Sequence, residues 1–253
     1  MGIFLRLLAV VAVLYVLACI GLFVVHRSMI YFPQRGPLST TAGLESMELN
    51  GVTVKVSARR LAGADAVLYF GGNGEDVSGN LPSLAAAFPD KAIYLLHYRG
   101  YGGSAGSPTE VALVADAIAL FDKLHASHPN ITVIGRSLGS GVAVHLASVR
   151  PVTRLVLITP YNSIAQLGQA QFPLFPASLI MADKFDSFRY ASKVSAPTTL
   201  IIAQHDEIIP RASSELLYSH FQSGVARKRV IAGRGHNDIA SDDAFLSALT
   251  AGH

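Results

Sequence analysis

The residues best placed to do chemistry lie in Gly135-Arg136-Ser137-Leu138-Gly139. The stretch before them, Ile131 to Ile134, is short, β-branched and apolar, as in a strand buried on both faces, and from Ser140 onward the spacing is that of a packed, Ala-rich helix. A Gly-x-Ser-x-Gly between strand and helix is a nucleophile elbow: its glycines leave room for a strained turn that lifts the serine hydroxyl above the sheet. Ser137 is the candidate nucleophile, and a serine merely opening a helix is the plainer alternative. Gly102-Gly103-Ser104-Ala105-Gly106 matches the same pattern, but it sits in a Gly/Ser/Pro loop with no helix opening at the serine, so Ser104 reads as turn chemistry.

A serine needs a base and an orienting acid, which with this elbow follow in the order Ser, Asp or Glu, His. Of the nine histidines only His220, His236 and His253 lie late enough. His236 sits in the loop Gly233-Arg234-Gly235-His236-Asn237-Asp238, directly after the last expected strand, whereas His220 falls on a helix and His253 ends the chain. The acid should follow the penultimate strand, where Gln204-His205-Asp206-Glu207-Ile208-Ile209-Pro210 places Asp206, with Glu207 beside it and directed elsewhere. Asp206 would fix the His236 tautomer and stabilise the imidazolium formed as Ser137 attacks. The developing oxyanion needs N–H donors: the Leu138 backbone supplies one, and the loop Gly71-Gly72-Asn73-Gly74 the other, at Asn73 with Gly72 as the fallback. That loop lacks the spacing of a phosphate cradle. His125 and His128, three apart, have no third ligand in view and read as solvated helix-end residues, so no metal or redox cofactor is implied.

The elements that must position these groups alternate strand and helix. Met47 to Asn50 and Val52 to Ala58 flank Asn50-Gly51, a two-residue hairpin signal. Strands are expected at Ala66 to Phe70, Ala92 to Tyr98, Leu155 to Thr159, Thr198 to Ala203 and Lys228 to Ala232. Helices are expected at Ser78 to Phe88, Ser213 to Phe221, Ile239 to Thr250 and Pro108 to Ala126, the last with Val111, Val114, Ala115, Ile118 and Phe121 on its apolar face. The fold class is α/β: a mostly parallel sheet with an antiparallel N-terminal pair and helices on both faces. Tyr161 to Ala196 is too long for a simple connection and reads as a lid-like insertion. Its apolar Leu167, Phe172, Leu174, Phe175, Leu179, Ile180 and Met181 would shape an acyl pocket or else cover the core.

The 253 residues, 51% of them hydrophobic, fit one domain preceded by an anchor. Leu7 to Val25 carries no charge, and as a helix it spans about 28 Å, the thickness of a bilayer's hydrocarbon layer. It is too long for a signal-peptide core and continues past the only small-residue site, so an uncleaved single-pass anchor is expected. Val16-Leu17-Ala18-Cys19 resembles a lipoprotein cleavage box, but the apolar run behind it is atypical. Arg6 and the α-amino group balance Arg27 and Arg35, and the positive-inside rule assigns no side. Tyr31 and Phe32 suit a membrane interface. The expected organisation is an anchor over 1–30, a linker over 31–43 and a hydrolase-like domain over 44–253 with the insertion at 161–196. One cysteine forbids an internal disulfide. The net charge of +3 and Arg227-Lys228-Arg229 suit an anionic membrane surface or a solvated strand edge, and no nucleic-acid motif is present.

Together these residues resemble the α/β-hydrolase superfamily, and within it the membrane-anchored serine hydrolases that include depalmitoylase-like thioesterases. The likeness runs from about Tyr31 to Ile239. It is most specific in Tyr98 to Glu110 (Tyr-Arg-Gly-Tyr-Gly-Gly-Ser-Ala-Gly-Ser-Pro-Thr-Glu) with Asp116 downstream, in the elbow, and in His205 to Pro210. The family's usual His-Gly-Asn is Gly71-Gly72-Asn73 here. The resemblance implies nucleophile, acid and base at Ser137, Asp206 and His236, and hydrolysis of a carboxylic ester or thioester; tethering at Tyr31 and Phe32 would hold the apolar insertion near lipid-borne acyl groups, so a lipid or an acylated protein is the expected substrate. A non-catalytic membrane-tethered binding module and, more weakly, an amide or peptide hydrolase are the competing classes.

Overall fold

The computed structural model describes residues 2–34 and 36–251; Arg35 and His253, both weighed above, lie outside the described residues. The chain opens with a helix α1 (Gly2–Ile30) and then builds one sheet from β1 (Leu44–Leu49), β2 (Val52–Arg59), β3 (Asp65–Phe70), β4 (Ala92–His97), β5 (Asn130–Arg136), β6 (Arg154–Ile158), β7 (Thr198–Ala203) and β8 (Ala226–Ile231). Between and after the strands come α2 (Leu81–Ala87), α3 (Glu110–His125), α4 (Leu138–Val149), α5 (Ile164–Gln171), α6 (Ala177–Ile180), α7 (Phe188–Ala191), α8 (Arg211–Ser219) and α9 (Asp243–Thr250). The sheet order is β1-β2-β4-β3-β5-β6-β7-β8. β2 is antiparallel to both β1 and β4, and every later pairing is parallel. This is the expected α/β-hydrolase architecture.

Alternation along the strands builds a core on each face of the sheet. Leu68, Phe70, Val133 and Leu155 pack into one apolar cluster, while Val67, Tyr69, Ile134 and Val156 pack into the other. The β1–β2 hairpin turns at Asn50 and Gly51, both with positive φ (50° and 73°), the conformation that favours Asn-Gly. β8 closes the sheet edge, where its basic residues discourage pairing with another chain; Lys228 is met there by Glu215 at 3.2 Å.

Two local readings change. The buried face of α3 is Leu113, Val114, Ala117, Leu120, Phe121 and Leu124, and Val111 is 79% exposed, so the apolar stripe runs on a different phase from the one expected. Its start is fixed by Thr109, whose side chain accepts from the Ala112 N–H. The closing helix is broken: a 3-10 turn over Ile239–Ser241 precedes α9, which Asp242 caps through the Ala244 N–H. An N-cap inside an apolar run restarts the helix.

The active-site face is set by the parallel strands, whose carboxyl ends all open on one edge. The elbow follows β5, the glycine loop follows β3, Asp206 follows β7 and His236 follows β8. Residues far apart in sequence therefore meet at a single rim.

Candidate active site

Ser137 joins β5 to α4 with φ 49° and ψ −118°, a strained backbone for a residue with a Cβ. The flanking glycines permit it. A Cβ at Gly135 would lie 2.6 Å from the Ala143 methyl, and one at Gly139 would strike the Phe70 and Gly71 carbonyls. The turn is tied down by the Ser137 N–H donating to Ile158 O at 2.9 Å and by the Ser140 hydroxyl donating to the Ser137 carbonyl at 2.7 Å.

Ser137 Oγ lies 3.0 Å from His236 Nε2, and His236 Nδ1 lies 2.9 Å from each Asp206 carboxylate oxygen. The imidazole and the Asp206 carboxylate are both buried. Asp206 is held in turn by the N–H groups of Ile208 (3.0 Å) and Ile209 (2.7 Å), both donating to Oδ1. Glu207 points away from the ring and accepts the His236 backbone N–H at 3.0 Å. The structure thus brings Ser137, His236 and Asp206 into one hydrogen-bonded chain and leaves His220, on the C-terminal end of α8, outside it. Ser104 is spent on backbone: its hydroxyl donates to the His97 carbonyl (2.8 Å) and accepts the Lys55 N–H (2.8 Å).

On the oxyanion side, the Leu138 N–H opens α4. The Gly72 N–H is engaged, donating to Glu75 Oε2, so of the two loop residues only Asn73 has an N–H without a partner among the described residues. Asn73 is fixed through its side chain, which accepts from the Phe32 N–H (2.8 Å) and the Tyr101 hydroxyl (2.9 Å). The Tyr98 hydroxyl donates to the Gly71 carbonyl at 3.0 Å. The stretch Tyr98 to Glu110 therefore works as a brace for this loop, and Arg99 locks the brace through paired hydrogen bonds of 2.7 and 2.8 Å to buried Asp116.

The family described as alpha/beta hydrolase fold matches residues 66–183. An uncharacterized protein of Mycobacterium tuberculosis is 34% identical over 231 residues, 84% of this chain and 81% of that protein. The chain belongs to the α/β-hydrolase superfamily. The alpha/beta hydrolase domain-containing protein aho-3 of Caenorhabditis elegans is 30% identical over 163 residues, 62% of this chain and 47% of the relative. Among solved structures, an esterase of Pyrococcus furiosus superposes with a TM-score of 0.70 at 15% identity, covering 87% of this chain and 94% of that one, a likeness of fold.

This hydrolase also carries a buried support that sequence reasoning missed. Glu75 accepts from the Gly72 N–H, from Arg136 Nη1 at 2.9 Å and from the Tyr69 hydroxyl at 2.6 Å. Arg136 reaches on to Asn237 Oδ1 at 3.1 Å and to the His236 carbonyl at 3.4 Å. Burial opposes the Arg136 charge, yet the facing Glu75 and Tyr69 hold its pKa above the ordinary guanidinium value. One ion pair thus links the glycine loop, the elbow and the histidine loop. The only sequence signal was a charged residue at the variable position of Gly-x-Ser-x-Gly and another closing the glycine loop. Replacing Glu75 by Ala strands a largely buried cation, so a loss of about 3 kcal/mol in folding stability is expected. Much of that loss should return in Glu75→Ala/Arg136→Met, as thermal unfolding of the two variants will measure.

A cavity of about 360 Å³ opens beside Ser137, within the range of small-molecule sites. Leu167, Phe172, Phe175, Ile180 and Met181 of the insertion line it, whereas Leu174 and Leu179 point outward, 80% and 82% exposed. The unexpected wall is α1: Leu22, His26, Met29 and Ile30 all face the cavity. Tyr31, expected at a membrane interface, is buried instead, edge-on to Phe185 at 6.4 Å. Among the described residues no three His, Cys, Asp or Glu side chains gather as a metal ion would require. His128, expected to be solvated, is buried with Tyr94 Oη 3.1 Å from its Nε2 and the Gly63 carbonyl 2.8 Å from its Nδ1.

Proposed function

We propose that this hydrolase is a membrane-anchored serine esterase or thioesterase working through an acyl-enzyme on Ser137. The observation that carries the reading is the unbroken hydrogen-bonded chain Ser137–His236–Asp206, whose serine lines an apolar cavity. Ser137 Oγ attacks the substrate carbonyl while His236 Nε2 takes its proton, and Asp206 accepts a hydrogen bond from Nδ1–H and steadies the imidazolium. The N–H groups of Leu138 and Asn73 stabilise the oxyanion. Collapse expels the alcohol or thiol, protonated by His236, and water then releases the acid by the same steps in reverse. The binding-module reading has no comparable support, because it gives no reason for all three polar groups to be aligned. The apolar lining favours an acyl group, and α1, long and apolar enough to cross a membrane, favours a lipid or acylated protein as its carrier.

A fluorophosphonate probe is expected to label the wild-type protein and the Ser104→Ala variant and to leave Ser137→Ala unlabelled. A series of acyl esters should show kcat/KM rising with chain length and then levelling, since each buried methylene contributes about 0.8 kcal/mol where the transition state keeps the contact. Labelling that survives Ser137→Ala, or kcat/KM falling steadily from acetyl to octanoyl, rejects the assignment of nucleophile or of acyl pocket respectively.

A further inference from the structure

The contacts between α1 and the Tyr161–Ala196 insertion carry a consequence for how substrate arrives. Between Arg6 and Arg27 α1 has no charged residue, and that interval is about 31 Å of helix, one hydrocarbon thickness. Arg27 pairs with buried Asp183 at 3.0 Å, which places the membrane-facing side of the folded domain at the level of Arg27. The insertion does not stop at that level. The Tyr15 ring stacks on Phe175 with centroids 5.7 Å apart and planes 2° from parallel, and the Tyr15 hydroxyl donates to the Leu174 carbonyl at 2.9 Å. Tyr15 lies twelve residues before Arg27, about 18 Å further along the helix and still about 14 Å deep if α1 tilts by about 40°.

Residues at that depth should be uncharged, apolar on the outside and satisfied in their backbone hydrogen bonds. The tip of the insertion is uncharged and its large exposed side chains are apolar, with Ser178 its exposed polar residue; of its N–H groups, those of Leu174 and Ser178 are the ones without a protein partner among the described residues. Tyr161 to Ala182 contains no Asp, Glu, Lys or Arg. Leu174 and Leu179 are its most exposed apolar side chains, and they point away from the domain. At its tip Pro173 and Pro176 have no N–H, while the N–H groups of Phe172, Phe175, Ala177, Leu179, Ile180 and Met181 bond to carbonyls of the insertion itself. The Tyr15 hydroxyl, which would otherwise lie unpaired inside hydrocarbon, finds its acceptor on the same tip. The cavity shares this depth: its lining runs from Ser137 to Leu22 and Phe175, and Leu22 is about 7 Å below Arg27 along α1.

We propose that the tip of the insertion, Phe172 to Ile180, is embedded in the bilayer alongside α1, and that acyl chains reach Ser137 sideways from the leaflet, along α1, rather than from water. α1 is then a specificity-determining wall of the site as well as an anchor. The inference rests on reading α1 as a membrane span and Ser137 as the nucleophile.

The test uses the full-length protein in phosphatidylcholine vesicles, with 4-methylumbelliferyl palmitate in the bilayer and 4-methylumbelliferyl acetate in the water. Leu179→Arg puts a charge on an outward-facing position that does not line the cavity. It is expected to lower palmitate hydrolysis at least tenfold and to leave acetate hydrolysis and fluorophosphonate labelling at wild-type levels. Palmitate hydrolysis equal to wild type overturns the proposal. Leu179→Cys in a Cys19→Ala background, labelled with a small fluorophore, decides the same point without reference to activity. Quenching by nitroxides on lipid chains supports embedding, and reaction with a charged maleimide at the rate of a free aqueous thiol overturns it. A wild-type protein that fluorophosphonate does not label would overturn the nucleophile assignment instead, and the cysteine experiment would still read the position of the tip.

Discussion

Replacing Ser137 by alanine is expected to lower ester turnover by about five to six orders of magnitude, and adding His236→Ala to that variant should cost almost nothing more. The two residues act on a single step, the attack of Oγ on the carbonyl as its proton passes to Nε2, and their 3.0 Å contact leaves neither with an independent contribution to it. What survives in either variant is the work of the oxyanion donors and of substrate binding. The fold should survive as well. The elbow is held by backbone contacts, the Ser137 N–H to Ile158 and the Ser140 hydroxyl to the Ser137 carbonyl, and the Ser137 hydroxyl has His236 as its hydrogen-bond partner. Hydrolysis rates measured beside thermal unfolding midpoints separate these cases. Losses that multiply across the double variant, or a collapse of the midpoint in step with activity, would contradict the assignment.

Local chemistry was the legible part of this sequence. The elbow is written in the consecutive residues Ile131 to Val149, because a strand, a strained turn and a helix leave β-branched, Gly-x-Ser-x-Gly and Ala-rich signatures side by side. Asp206 and His236 are legible through their loops, polar or glycine-rich stretches that directly follow the two last strands. Where the reading slipped, the governing interaction was long-range or the pattern was broad. The apolar residues of α3 are spread widely enough for either of two stripes, and only packing against α4 and the sheet chose Leu113, Ala117, Leu120 and Leu124 over Val111. His128 looked like a helix-end residue because nothing nearby in sequence announces Tyr94 as its partner. Glu75, Arg136 and the Tyr101 hydroxyl act across gaps of 28 to 101 residues, which no local pattern encodes. The same holds for α1, whose length and lack of charge were plain, while the return of Leu22, His26, Met29 and Ile30 to the site depends on the insertion folding back against them.

Asp206→Asn is expected to lower turnover by about four orders of magnitude, while Glu207→Gln should stay within about tenfold of wild type. The two carboxylates are adjacent in sequence and both contact His236, so the contrast isolates the atom that matters. Asp206 Oδ1 accepts the Ile208 and Ile209 N–H groups, and an asparagine would be oriented by those donors with its carbonyl toward them. Its amide N–H would then face His236 Nδ1, where the aspartate offers an acceptor at 2.9 Å. Facing a donor, the ring keeps its proton on Nε2 and can no longer take one from Ser137. Glu207 touches only the backbone of the same histidine, accepting its N–H at 3.0 Å, and a glutamine carbonyl can accept that bond equally well. The loop should therefore keep its place and the tautomer its identity in Glu207→Gln. The measurement is kcat for both variants on one soluble ester across a range of pH. Near-wild-type turnover in Asp206→Asn together with a large loss in Glu207→Gln would move the orienting role to Glu207, which would require the histidine loop to turn so that Nδ1 replaced the backbone N–H against that carboxylate.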